Sequence, residues 1–322
     1  MRAVVVNEPG GPEKLVPSEV PAPTPGPGEV VARVTAAGLN YIDTYHRSGL
    51  YPMEFPLIPG IEGAGTVESL GEGVTDLAPG DRIAWSSAQG TYAEQVVVLA
   101  EKAVPLPDAV DDEVAAAVLL QGLTAHYLAV DTFPLHPGHT CLIHAGAGGV
   151  GLLLTQIAKM RGARVITTVG SGDKVAMSRE AGADDVIVYT EVDFGVAVED
   201  LLGPHSLDVV YDGVGAATFD QGIDLLRPRG TMVTFGNASG PVPPVSPLTL
   251  MQKGSIFLTR PTMGHYLLTR DELLGRVTDL FDWVGSGSLT VQIGARYPLE
   301  EAARAHQALE SRATTGKVLL IP

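Results

Sequence analysis

The chain has 322 residues, 45% of them apolar and 18% charged, which excludes wholesale disorder and leaves room for two domains, each with its own core. With 37 acidic against 21 basic side chains and a formal charge of −16, its surface repels phosphate backbones, so nucleic acid is not an expected partner. No apolar run reads as long enough to span a membrane, Met1 to Val6 reads as a first strand rather than a leader, and the sole cysteine, Cys141, rules out an intrachain disulfide and disfavours a cysteine-based zinc site, so a cytoplasmic protein is expected.

Residues 1 to 120 are predicted to be mainly β. Ala3 to Val6 and Val30 to Val34 are strand-like, separated by Pro21, Pro23, Pro25 and Pro27, which prevent regular structure. Gly63 to Leu70, Arg82 to Trp85 and Tyr92 to Leu99 add three short apolar runs. Asn40 to Arg47 is the helical exception, with Asn40 a candidate N-cap and Asp43 three residues on.

From Asp111 the pattern changes: one helix to Leu120, a second over Thr124 to Val130, then alternation. Strands are predicted at Cys141 to His144, Arg164 to Thr168, Asp185 to Val188, Leu207 to Tyr211, Thr231 to Phe235 and Ser255 to Thr259, with helices at 150–161, 172–181, 194–202, 216–226 and 247–252. Six strands with crossover helices describe an α/β fold, a doubly wound six-stranded parallel sheet with its ligand at the carboxyl ends of the strands. A helix over 269–285, a strand near 289–294, a helix from Leu299 to Leu309 and a strand from Lys317 to Ile321 have no place in that sheet. They are expected to return to the β domain, giving domains of 1–118 completed by 262–322, and 119–261.

The stretch around which the chain is organised begins at the first of those strands. After the apolar run Leu142 to Ala145, Gly146, Gly148 and Gly151 have the spacing G-x-G-x-x-G, and Leu152, Leu153, Ile157 and Ala158 then recur at helical intervals. In this setting Gly146 allows the tight turn, Gly148 lets a pyrophosphate approach the backbone, and Gly151 lets helix and sheet pack closely. The pyrophosphate would sit on the free N–H groups at the helix start. An NAD-binding sheet usually carries Asp or Glu at the end of its second strand. Here Gly170 and Ser171 stand there, with Lys174 one turn on, which favours a 2′-phosphate and hence NADPH. The opposing reading makes Lys174 a solvated helix residue with Asp173 weakening its field. His136 and His139 form H-x-x-H across a Pro137-Gly138 turn with no third ligand near in sequence, and His144 and Cys141 read as core residues.

The runs Gly38-Leu39-Asn40-Tyr41-Ile42-Asp43-Thr44-Tyr45-His46-Arg47-Ser48-Gly49-Leu50-Tyr51-Pro52, Pro59 to Gly65, Pro79 to Arg82, His144 to Gly151, Phe235 to Gly240, Gln252 to Ser255, Thr259 to Pro261 and Glu310 to Thr314 resemble the NADPH:quinone oxidoreductase (zeta-crystallin-like) branch of the medium-chain dehydrogenase/reductase superfamily. The resemblance implies a GroES-like β domain beside a Rossmann sheet, an active site in the cleft between them, and a homodimer joined through the cofactor domains. It implies 2′-phosphate contacts from Lys174, Tyr189 and Arg312, nicotinamide contacts from Asn40, Thr124, Phe235 and Gly236, and pyrophosphate contacts from Gly148, Gly149 and Val150. Asn40 and Ile61 stand where zinc alcohol dehydrogenases of the superfamily carry Cys and His, and their lobe of four cysteines is absent, so no metal is expected.

Quinone carbonyls accept electrons readily, so a site must mainly align the ring and offer donors to the developing oxyanion. The family pattern makes Asn40, Tyr45, Tyr51 and Arg260 the candidates. Each has a plainer reading: Asn40 as a helix cap, Tyr45 as core, Tyr51 as loop, Arg260 as an ion-pair partner at a sheet edge. The function expected is NADPH-dependent quinone reduction without a metal. Reduction of α,β-unsaturated carbonyls, and NADPH binding in a structural or regulatory role, are the alternatives.

Overall fold

The computed structural model describes residues 1–322, and the chain divides into two compact units, Met1–Gln121 with Thr269–Pro322, and Gly122–Leu268. In chain order, β1 (Arg2–Val5) and β2 (Val16–Glu19) form a small antiparallel pair. The prolines that follow form no regular element. The first large sheet is built on β3 (Glu29–Leu39), flanked by β4 (Glu62–Leu70), β5 (Arg82–Trp85), β6 (Gln95–Leu99) and β7 (Val104–Pro105). Between β3 and β4 lies α1 (Tyr41–Ser48), which ends at Gly49 with φ +79°, a left-handed position where glycine costs least.

Asp111 to Val130 differs from its sequence reading. Asp112–Tyr127 is one helix, α2, carried past Gly122 and continued by a π-type turn, Leu128–Thr132. Ala115 to Leu119, Leu123, Ala125 and Leu128 are all buried, so packing outweighs the roughly 1 kcal/mol that a helical glycine costs. The resulting 21-residue helix holds an 18-residue window of mean hydropathy 1.3, long and apolar enough by composition to cross a membrane, which corrects the expectation that no segment reaches that length. Of its apolar window, 72% is buried inside the protein, as in a core helix.

The second unit alternates β8 (Thr140–Ile143), α3 (Gly149–Met160), β9 (Arg164–Val169), α4 (Val175–Glu180), β10 (Asp185–Val188), α5 (Phe194–Leu202), β11 (Leu207–Asp212), α6 (Phe219–Asp224), β12 (Leu226–Thr234), α7 (Pro247–Gln252) and β13 (Phe257–Thr259). Its six-stranded sheet is parallel throughout in the order β10-β9-β8-β11-β12-β13, the doubly wound arrangement expected. Leu142, Ile166, Val210, Phe219 and Met232 fill its core, each such side chain contributing about 1.5–3 kcal/mol by leaving water.

Back in the first unit, α8 (Arg270–Gly285) precedes β14 (Ile293–Pro298), α9 (Ala302–Glu310) and β15 (Lys317–Ile321). The strand expected near 289–294 lies four residues later, and β15 pairs β14 on one side and β3 on the other. Trp85, Tyr92, Leu39 and Leu320 pack in the core of this unit.

Candidate active site

At the carboxyl end of the parallel sheet, the chain leaves β8 through His144 and Ala145, the latter at φ +56°. The Gly146 N–H donates to the Thr168 carbonyl (2.9 Å), drawing the turn against β9 so closely that a Cβ on Gly146 would lie 2.5 Å from the Thr167 side chain. A Cβ on Gly151 would lie 2.3 Å from the Ala145 carbonyl oxygen. Gly148 is the N-cap of α3 and offers no side chain to the helix start. The N–H groups of Gly149, Val150 and Gly151 therefore open the helix without intrahelical acceptors, an arrangement that attracts an anion.

The neighbouring strand, β9, ends at Val169 and is followed by Gly170 and Ser171. A Cβ on Gly170 would lie 2.9 Å from the Tyr189 hydroxyl, so Tyr189 stands directly beside the position that lacks a carboxylate. Thr190 Oγ1 donates to the Gly170 carbonyl (3.1 Å) and steadies the turn. Lys174 follows in a 3-10 turn, half-buried. Asp173 is exposed, and a hydrogen bond from the Ser171 hydroxyl holds its carboxyl below the ordinary carboxylate range, so it stays ionised next to Lys174. Gly170, Ser171, Lys174 and Tyr189 are thus brought together; Arg312, at φ +61° after α9, belongs to the other unit.

Phe235 and Gly236 follow β12, and the Phe235 ring lies over Gly213, where a Cβ would be 3.1 Å from it. Arg260, just past β13, donates to the Gly236 carbonyl (2.9 Å) and lies 3.4 Å from Thr234 Oγ1. Phe235, Gly236 and Arg260 therefore form one group. Thr124 is buried on α2 and hydrogen-bonded to Tyr127, whose ring stacks on Tyr266 at 4.4 Å. His144 is buried, its Nδ1 2.9 Å from the Thr168 hydroxyl, and burial lowers its pKa. Burial pushes the Cys141 thiol up to about 12, which removes it as a nucleophile. The His136 and His139 ring centroids lie 3.5 Å apart with the rings tilted by 36°, and no group of three or more His, Cys, Asp or Glu side chains is arranged to hold a metal.

In the first unit, β3 delivers Asn40 to the start of α1, where its N–H donates to Asp43 Oδ2 (2.8 Å). The Asn40 side chain does something else. Its Nδ2 donates to Glu62 Oε2 (2.8 Å) and the Gly38 carbonyl (3.1 Å), and its Oδ1 accepts from Lys317 Nζ (2.8 Å). Both amide hydrogens are used. Lys317 and Glu62, 1% and 0% exposed, form an ion pair behind it, and Glu62 Oε1 also accepts the Leu120 N–H (2.7 Å). Gly38 makes room, since a Cβ there would lie 2.6 Å from the Glu62 carboxylate.

Tyr45 is 8% exposed, with Tyr41 and Tyr51 beside it at ring separations of 6.1 and 5.2 Å. The Tyr51 N–H donates to the Tyr45 carbonyl (3.2 Å), so helix and loop carry one aromatic face. Glu62, Lys317 and the buried residues behind α1 were not singled out as site residues from the sequence. The available signal was a lysine opening the otherwise apolar strand Lys317-Val318-Leu319-Leu320-Ile321, and a lone glutamate among the small residues Gly60 to Gly65.

Residues 26–108 match the family model for the alcohol dehydrogenase GroES-like domain, and residues 149–280 that for zinc-binding dehydrogenases. The quinone oxidoreductase of Pseudomonas aeruginosa is 46% identical over 317 residues, covering 97% of each chain. A 2-haloacrylate reductase of Burkholderia sp. is 39% identical over 328 residues, covering 99% of this chain and 98% of its own. The crystal structure of Escherichia coli quinone oxidoreductase complexed with NADPH superposes with a TM-score of 0.98 at 42% identity, covering all of both chains. The chain belongs to the quinone oxidoreductase branch of the medium-chain dehydrogenase/reductase superfamily.

Proposed function

We propose that this protein is an NADPH-dependent quinone reductase that works without a metal ion. The observation that carries the cofactor is the carboxyl end of β8 and β9: a glycine-lined helix start for the pyrophosphate, then a second strand followed by Gly170 and Ser171 with Tyr189 and Lys174 beside them. Gly146, Gly148, Gly149, Val150 and Gly151 would hold the pyrophosphate, and Gly170, Ser171, Lys174, Tyr189 and Arg312 the 2′-phosphate. Asn40, Thr124, Phe235 and Gly236 would border the nicotinamide. NADPH, when bound, supplies the reducing equivalents.

The chain's own residues align the acceptor and stabilise the oxygen that gains charge. Tyr45 and Tyr51 offer ring faces against which a flat quinone packs, and the Tyr51 hydroxyl donates to the reduced oxygen. Arg260, fixed by the Gly236 carbonyl, adds positive charge. Asn40 has both amide hydrogens committed to Glu62 and Gly38, so it shapes the site rather than donating to substrate. The Lys317 ammonium on Asn40 Oδ1, with Ile61 in place of a histidine, makes the donor set hostile to a divalent cation.

The outer edge of β13 has no strand partner, and Leu248, Met251 and Phe257 near it are 62%, 58% and 61% exposed. We infer that a second copy of the chain covers them, forming a homodimer through the cofactor units. Light scattering should give twice the chain mass, and Phe257→Asp should shift it to monomer.

The test of function follows NADPH absorbance with chelator-treated protein, a quinone panel, an enone and a 2-haloacrylate. Quinone-dependent oxidation with NADPH and little with NADH is expected. The second reading, reduction of activated alkenes, is favoured by the 2-haloacrylate reductase relative, and turnover of the alkenes alone would establish it. Binding of NADPH without turnover of any acceptor would establish the non-enzymatic role.

A further inference from the structure

Behind α1 runs a line of four buried polar side chains drawn from three distant parts of the chain. Arg47 Nη1 lies 2.9 Å from His306 Nδ1, His306 Nε2 lies 3.2 Å from the Tyr92 hydroxyl, and that hydroxyl lies 3.0 Å from Asp43 Oδ2. Arg47 is 2% exposed and the other three are fully buried. At the outer end Arg47 pairs with Glu310 (2.7 Å), and its Nε donates to the Gly10 carbonyl (3.1 Å).

The direction of every bond follows from the first. A guanidinium can only donate, so His306 Nδ1 accepts. A neutral imidazole that accepts at Nδ1 carries its proton on Nε2, which donates to Tyr92. The Tyr92 hydroxyl must then give its own proton to Asp43. Burial, reinforced by the Arg47 charge, lowers the His306 pKa to about 3, so the ring is neutral at any working pH. The line ends on Asp43 Oδ2, which also accepts the Asn40 N–H that begins α1, while Asp43 Oδ1 has no partner. Asp43 stands in the first turn of α1 and Arg47 in the last, so the helix bearing Tyr41 and Tyr45, and leading to Tyr51, is held from behind at both ends.

We propose that Tyr92 and His306 are positioning residues for the reaction, forming with Arg47 and Asp43 a one-way donor line that seats α1 and so fixes the tyrosine face on which the quinone rests. This rests on the quinone-reductase reading of Tyr45 and Tyr51. The seat is tightest when Asp43 is ionised, because a carboxylate accepts both bonds more strongly than the neutral acid. Burial raises the Asp43 pKa to about 7, opposed by its hydrogen bonds from Asn40 and Tyr92 and by the Lys317 charge, with Glu62 pushing the same way as burial. Activity therefore rises with pH through neutrality, as Asp43 loses its proton. Removing the Tyr92 hydroxyl takes away a bond that favours the ion, and the rise moves to higher pH.

The experiment compares wild type with Tyr92→Phe, which deletes one oxygen and keeps the ring, and with Asp43→Asn, which keeps the acceptor and cannot titrate. Quinone kcat/KM is measured across pH, with NADPH Kd alongside, and hydrogen exchange of the segment 40–51 is followed in each. For Tyr92→Phe the expected result is a roughly tenfold fall in kcat/KM at neutral pH, an acid limb displaced upward by about one pH unit, NADPH Kd within about twofold, and faster exchange in α1. In Asp43→Asn the limb disappears. A purely structural role would lower the melting temperature with the limb unmoved, and that result overturns the proposal. Should wild type fail to turn over quinones, the functional reading falls, and the exchange arm still decides: unchanged protection of 40–51 in Tyr92→Phe refutes the seat, and faster exchange supports it.

Discussion

At the end of β8 the place proposed for the cofactor is made by leaving side chains out, whereas at the back of α1 the space is filled. Gly148 and Gly151 close on the Ala145 carbonyl, Gly146 on the Thr167 side chain and Gly170 on the Tyr189 hydroxyl, and the start of α3 leaves its N–H groups facing outward. Behind α1, Asp43, Tyr92, His306 and Arg47, and beside them Asn40, Glu62 and Lys317, occupy nearly every polar valence they have. A hollow region keeps its binding energy for the ligand, while a filled one spends its interactions on holding itself still. Damage to the first should therefore be read in affinity, and damage to the second in stability and in the placing of what it carries.

The largest break is expected in the filled region. Lys317→Met removes the cation from a pair whose members are 1% and 0% exposed, leaving the Glu62 carboxylate buried without its partner. A loss of about 3–5 kcal/mol in urea unfolding is expected for the first unit, with NADPH affinity of the folded protein changed by less than about twofold. An affinity that fell in step with stability would erase the contrast between the regions.

Gly148→Val is the complementary break. Gly148 has extended backbone that any residue adopts, and a Cβ there meets only the Ala145 carbonyl oxygen at 3.2 Å, so the protein should accommodate valine with little loss of stability. Its methyls would stand in the site proposed for the pyrophosphate. NADPH Kd from fluorescence titration should rise about a hundredfold, roughly 2.7 kcal/mol, with unfolding changed by less than about 1 kcal/mol. Lys174→Glu sharpens the same region more gently. It should lower the ratio of NADPH to NADH kcat/KM about tenfold, near 1.4 kcal/mol, because the charge change acts on the 2′-phosphate alone. An unchanged ratio would remove Lys174 from the phosphate site and favour its reading as a solvated residue.

The same difference governs how much was legible in the sequence. The hollow region is local: strand, glycines and helix occupy consecutive positions, so spacing alone located Gly146 to Gly151 and the carboxylate-free turn at Gly170 and Ser171. The parallel sheet was equally legible, because each buried strand is a short apolar run beside a helical period. The filled region joins residues 43, 47, 92 and 306, and no local pattern tells a buried histidine in α9 from a solvated one. Asn40 shows the limit within one residue. Its place at the helix start was legible, but the helix uses its backbone, and the side chain serves Glu62 and Lys317. The two helices expected to Leu120 and over Thr124 to Val130 are one, since burial on α2 carries the helix through Gly122 against its low propensity.

The smallest effect is expected at the tyrosine face proposed for the quinone, in front of the filled region. Tyr51 is half-buried, its ring edge-on to Tyr45 at 5.2 Å and 61°, so the residue has both a packing role and a hydroxyl to offer. Tyr51→Phe keeps the ring and removes the donor. If that hydroxyl stabilises the reduced quinone oxygen, kcat should fall about three- to fivefold, under 1 kcal/mol, with KM and melting temperature nearly unchanged, because a donor to developing charge acts more strongly in the transition state than on bound quinone. Tyr51→Leu removes the aromatic face as well and should raise KM. A raised KM already in the phenylalanine variant would mean that the hydroxyl binds ground-state quinone, and the donor role would pass from Tyr51 to Tyr45 or Arg260.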